Sequence, residues 1–156
     1  MQTFDSDYAA AIGDAKALEL PLWVGEFGND PHDDTRVLQQ HYEHQDASVV
    51  GGALWVWKEH GAWGALATPS RVTRVTRVYP VATTSVIDHL SCDPFHRTAL
   101  VQGHGPAVRR GDRARATVLA VPPHYTGTPF ATGASVERVG GQLLLYPSGG
   151  GWSLRV

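Results

Sequence analysis

The periodicity of the chain changes once, near Gly64, and that change limits the folds open to it. Before it, apolar residues recur at helical spacing and alternate with short apolar runs. Tyr8, Ala11, Ile12, Ala15 and Leu18 fall three and four apart, with Asp5 or Ser6 as N-cap and Pro21 as the stop. Leu22 to Phe27 form a strand, Asn29 to Asp34 a polar loop, and Val37, Leu38, His41, Tyr42 and Gln45 one side of a second helix. Val49 to Trp57 read as a second strand, apolar throughout. Helix, strand, helix, strand with short connections is the alternation of a parallel sheet or barrel.

Beyond Gly64 the helical period disappears. Runs rich in Val, Thr, Leu and Tyr at 72–79, 86–91, 97–102, 114–121, 134–139, 142–146 and 152–156 are separated by Gly and Pro, with Gly140-Gly141 as a two-residue hairpin signal. Short strands so punctuated predict an antiparallel sandwich. The boundary falls within Gly61 to Ser70, giving a first domain over 1–65 and a second over 66–156.

Lys and Arg total 13 against 15 Asp and Glu, a near-neutral balance that argues against nucleic acid or an acidic membrane as the main partner. The one cysteine, Cys92, excludes an intrachain disulfide and reads as a turn residue before Asp93-Pro94. Residues 1–20 lack the basic start of a signal peptide, and no apolar run approaches the roughly 20 residues of a membrane span. No compartment follows from this.

Within the first strand, Pro21-Leu-Trp-Val-Gly-Glu26-Phe-Gly28, one carboxylate stands at the end of an apolar run. A charge along such a strand is costly to bury, whereas at its end the chain opens into loops and clefts. Glu26 is therefore a candidate for chemistry, set against the plain alternative of a structural carboxylate paired with an arginine or a helix N-terminus. Trp55 and Trp57 lie two apart on the second strand and so share a face. An indole offers sugar C–H groups a flat apolar platform and one N–H donor; ordinary core packing is the alternative.

Together, the first strand and Gly51-Gly-Ala-Leu-Trp55-Val-Trp57-Lys58 resemble the last two barrel strands of glycoside hydrolase family 5, in its endoglycoceramidase and glucocerebrosidase-like branch. Arg77-Val-Tyr79-Pro80 with Ala82, and Val121-Pro-Pro-His-Tyr125 with Gly127, are similar to that branch's C-terminal sandwich. The resemblance implies an α+β chain: the last two βα units of a (β/α)8 barrel, followed by an antiparallel β-sandwich. It implies a retaining β-glycosidase acting on glycolipid or β-glucoside-type substrates, with Glu26 as nucleophile and no cofactor or metal. The family pattern favours Trp55 over Trp57 as the sugar platform, and Lys58 would donate to a hydroxyl or headgroup.

The family's acid/base carboxylate follows an asparagine on an earlier strand, and this sequence holds no Asn-Glu-Pro. A whole barrel takes about 250 residues. The expectation is thus a C-terminal piece, inactive alone, that associates with itself or with the missing barrel portion, or else leaves its first 65 residues disordered. The rival reading is a non-catalytic sandwich binding carbohydrate or lipid surfaces, with Tyr125, Phe130 and Trp152 as candidate aromatics, or a purely structural companion domain. His41 and His44, with His32, Asp33 and Asp34, match no zinc spacing well and read as a solvated face. Arg109-Arg110-Gly111-Asp112-Arg113 reads as a solvated basic turn, and Gly149-Gly150-Gly151 as a flexible hairpin end.

Overall fold

The computed structural model describes residues 3–28, 36–55 and 69–156. The chain divides into two compact units, Met1–Pro69 and Ser70–Val156.

In the first unit, helix α1 (Phe4–Ala17) is followed by β1 (Trp23–Phe27), α2 (Arg36–Ser48) and β2 (Gly51–Leu54). The N-cap of α1 is Thr3, earlier than the expected Asp5 or Ser6. Its hydroxyl accepts from the Ser6 N–H at 3.2 Å while the Ser6 hydroxyl accepts from the Thr3 N–H at 2.9 Å, a reciprocal capping box. Asp5 and Asp7 then lie in the first turn, where the helix dipole favours acidic side chains. Along α1, Phe4, Tyr8, Ile12 and Ala15 form the partly buried stripe, whereas Ala11 and Leu18 are exposed.

Both longer helices end in the same way, and Pro21 is not what stops the first. Glu19 N–H donates to Lys16 O and Leu20 N–H to Ala15 O; Val49 N–H donates to Asp46 O and Val50 N–H to Gln45 O. These are Schellman closures, which require a left-handed residue just past the helix, usually Gly. Here Glu19 (φ 54°) and Val49 (φ 52°) fill that position. The second strand accordingly begins at Gly51 rather than at Val49, because Val49 and Val50 are spent on closing α2.

Strands β1 and β2 pair in parallel, Trp23 opposite Gly51, Val24 opposite Gly52 and Phe27 opposite Leu54. Three residues of β1 thus advance while β2 advances two, so the register slips by one at Gly25–Glu26. A regular strand would send Val24 and Phe27 to opposite faces. With the slip, Phe27 turns under α2, where its ring meets His41 and Tyr42 at 5.2 and 5.3 Å.

The second unit opens with α3 (Pro69–Val75) and continues in β3 (Tyr79–Ala82), β4 (Val86–Asp93), β5 (Thr98–Gly105), β6 (Thr117–Ala120), β7 (Phe130–Thr132), β8 (Ala134–Val139), β9 (Gln142–Pro147) and β10 (Gly150–Arg155). The expected strand over 72–79 is therefore divided between a helix and a later strand. Pro69 suits a first helical position, and the Thr76 N–H and hydroxyl both donate to Val72 O, at 3.0 and 2.6 Å, so the segment closes as a helical turn despite the β preference of Val and Thr.

Two antiparallel sheets result, ordered β4-β5-β10-β7 and β3-β6-β9-β8. Leu90, Val101, Trp152 and Leu154 from the first meet Leu119, Leu143 and Leu145 from the second in one core. No barrel is closed among the described residues. Gly149-Gly150-Gly151 is not a hairpin end, since β9 and β10 belong to different sheets and Gly150 and Gly151 pair with Gly105 and His104.

A β-branched residue held at a left-handed φ is strained by roughly 1–2 kcal/mol. Val49→Gly is expected to raise the stability of the first unit by about 1 kcal/mol in urea unfolding; an unchanged midpoint would contradict the closure described.

Candidate functional site

Among the described residues, the parallel pair is covered on one side and open on the other. Phe27 is 5% exposed and Leu38 3%, both on the α2 side. Trp23, Gly25, Glu26, Gly51, Ala53 and Trp55 are exposed. The slip at Gly25–Glu26 permits this division by turning Phe27 inward while Glu26 stays out. Bulges of this kind re-aim side chains and concentrate near working sites.

Glu26 and Trp55 leave the backbone close together. The Trp55 N–H donates to the Phe27 carbonyl at 2.8 Å, one residue beyond Glu26. A Cβ on Gly28 would fall onto the Trp55 carbonyl oxygen, so the second glycine of the β1 segment is required by backbone contact. Trp55 is 51% exposed and Trp23 63%. The Trp23 ring lies where a Cβ on Gly51 would stand, so Gly51 opens room for an indole. The sequence marked Gly51 as part of an apolar strand without showing this role. Trp57 and Lys58 lie outside the described residues, as do His32, Asp33 and Asp34.

His41 and His44 are not a solvated face. Tyr8 Oη lies 2.9 Å from His41 Nδ1, His44 Nε2 lies 2.9 Å from Asp5 Oδ1, and the Tyr8 and His44 rings stack at 4.7 Å. Phe4 meets His41 edge-on at 4.6 Å. The two imidazoles join α1 to α2. Among the described residues, no group of three or more His, Cys, Asp or Glu is placed to hold a metal.

In the second unit, Tyr125 is 1% exposed and Trp152 4%, so two of the three aromatics expected at a carbohydrate-binding surface belong to the core. Gly103 makes room for the Trp152 ring, since a Cβ there would stand 2.6 Å from Cζ2. Phe130 alone of the three is well exposed. Cys92 is a β4 residue rather than a turn residue, its Sγ donating to Val78 O at 3.3 Å.

The fold is mixed α/β, one parallel βαβ unit with predominantly antiparallel sheets. It is similar to that of endo-glycoceramidase II from Rhodococcus sp., at a TM-score of 0.74 and 20% identity in the complex with a cellobiose-like imidazole, over 97% of this chain and 36% of that one. The complex of the same enzyme with a cellobiose-like isofagomine gives 0.75 at 19% identity. Sterylglucosidase 1 from Cryptococcus neoformans is similar at a TM-score of 0.67 and 14% identity, over 95% of this chain and 31% of that one. At these identities the likeness is one of fold. The chain spans about a third of the length of these proteins. No protein-family model and no curated protein matches it.

Burial holds the His41 imidazole below its ordinary pKa, and the neighbouring His44 acts in the same direction. The unfolded chain therefore binds this proton more readily than the folded unit. The resulting stabilisation is complete above about pH 6.5 and is lost as the pH falls from there through the folded value. Thermal unfolding of the wild type is expected to weaken on acidification more steeply than that of His41→Gln; parallel pH profiles would refute the assignment.

Proposed function

We propose that the chain is the C-terminal part of a retaining β-glycosidase acting on glycolipid or β-glucoside-type substrates, with Glu26 as its nucleophile. The observation that carries this reading is the emergence of Glu26 and Trp55 from adjacent parallel strands, at the same end and on the uncovered face. Side chains at the C-terminal ends of parallel strands are where barrel enzymes place their chemistry. The fold likeness to an endo-glycoceramidase and a sterylglucosidase supports the same class and a lipid-linked sugar as substrate.

On this reading β1 and β2 are the last two strands of a (β/α)8 barrel, and the two antiparallel sheets are its companion β-sandwich. Glu26 attacks the anomeric carbon as the bond to the leaving oxygen breaks, and a second carboxyl group protonates that oxygen. Water, deprotonated by the second group, then releases the sugar from Glu26. Retention requires the two carboxyl groups about 5–5.5 Å apart. Trp55 supplies the flat apolar surface under the ring, while Trp57 and Lys58 contact the substrate beyond it. The partner carboxylate comes from elsewhere in the barrel, so the 156-residue chain alone does not turn over.

The chain alone is expected to leave an aryl β-glucoside intact. In the assembled enzyme, Glu26→Gln is expected to lower kcat on the order of 10⁴-fold without unfolding, as loss of a nucleophile does. Azide is expected to restore turnover in Glu26→Ala by giving a glycosyl azide of inverted configuration. Near-parental activity of Glu26→Gln would remove Glu26 from the role.

A further inference from the structure

The formal charge of the whole chain, −2, conceals a division. Met1–Pro69 holds three Lys and Arg against eleven carboxylates, a formal −8; Ser70–Val156 holds ten arginines and no lysine against four carboxylates, a formal +6. Four of those arginines, Arg109, Arg110, Arg113 and Arg115, fall within seven residues between β5 and β6.

Like charges at that density repel, and such a segment is ordinarily loose and solvated. This one is fastened to the outer face of the β3-β6-β9-β8 sheet. Val108 and Ala116 pack on Leu144 and Tyr146 in a second small core. The Val108 N–H donates to Pro147 O at 2.8 Å, and the Thr84 hydroxyl to Arg115 O at 2.8 Å. Arg113 donates to Glu137 Oε1 at 2.8 Å, while Tyr146 Oη donates to Oε2 at 3.1 Å. Arg109 and Arg110 stand in the turn that Asp112 N–H closes onto Arg109 O, and both are exposed, as is Arg115.

Beside the strap, the same sheet face carries a row in which all but Ala120 are exposed. Tyr79 stands opposite Ala120, Ala120 opposite Gln142, and Gln142 opposite Val139. Gln142 is two residues from Leu144 along β9, so the row shares the face on which the strap is packed. Tyr79 is 55% exposed, and Val81, two residues on at an irregularity of the same edge strand, 52%.

We propose that this face docks on an anionic phospholipid membrane. The guanidinium forks of Arg109, Arg110 and Arg115 engage lipid phosphates, for which their planar donor geometry is suited. Tyr79, Val81 and Val139 settle at the headgroup boundary, where an aromatic with a polar tip and short aliphatics are favoured. A single-stranded nucleic acid would match the arginines but leave the aliphatic part of the row without a role. The inference does not use Glu26 and stands or falls apart from the glycosidase reading.

The test is co-sedimentation of the full chain with vesicles of phosphatidylcholine containing roughly 30 mol% phosphatidylglycerol, against pure phosphatidylcholine. Binding is expected on the anionic vesicles and not on the neutral ones, and it should fall steeply as salt is raised. Arg109→Gln with Arg110→Gln, in an exposed turn, is expected to weaken it about tenfold or more with an unchanged unfolding curve. Tyr79→Ser with Val81→Ser is expected to abolish the part that survives high salt. Equal binding to neutral vesicles, no binding at all, or indifference to the paired arginine change would overturn the proposal. So would salt-sensitive capture by poly(U) without vesicle binding.

Discussion

The hydrogen bond from the Trp55 N–H to the Phe27 carbonyl is the constraint on which the candidate site depends. It joins the ends of two parallel strands that α2 covers on one side only. Gly28 permits it, because any larger residue would meet the Trp55 carbonyl. The register slip just before it keeps Phe27 inside and leaves Glu26 outside. Remove any of these and the carboxylate and the indole no longer share an end of the sheet. None of the three involves a functional group of Glu26 or Trp55, so the site is set by backbone geometry before it is set by chemistry.

How much of this was legible in the sequence varies with the kind of force involved. Apolar spacing located α1, α2, β1 and most later strands, since burial periodicity is written locally. Their ends were less legible. Glu19 and Val49 occupy left-handed positions where Gly is usual, so the closures carry no compositional mark. Residues 72–75 have strand composition but take helix, begun at Pro69 and closed by the Thr76 N–H on Val72 O. β7, three residues between Pro129 and Gly133, is too short to show a period and is recruited by pairing with β10. The slip at Gly25–Glu26 is a property of two strands together, and neither reveals it alone.

The candidate residues divide along the same line. Glu26 stands out in the sequence because an apolar strand ending in a charge is unusual in itself, and Trp55 because an indole on the neighbouring apolar run suits a sugar ring. Trp152 and Tyr125 read as surface candidates in the sequence, but Gly103 on β5, the strand paired with β10, makes the space that buries Trp152, a relation about fifty residues long. His41 and His44 could not be read as a helix-to-helix contact until Phe4 and Tyr8 were placed against them. The charge division was present in the sequence throughout, and averaging over the whole chain hid it. Once the unit boundary is known, the arginine strap stands out as a feature of the second unit alone.

The central claim, that Glu26 and Trp55 are held at one end of a locked parallel pair, is tested most directly by amide hydrogen exchange at Trp55. The account predicts a Trp55 amide protected well above the random-coil rate in the wild-type chain, with that protection lost in Gly28→Val while the amides of β5 and β9 keep theirs. A Trp55 amide that exchanges at the random-coil rate in the wild type, or one unaffected by Gly28→Val, would contradict it.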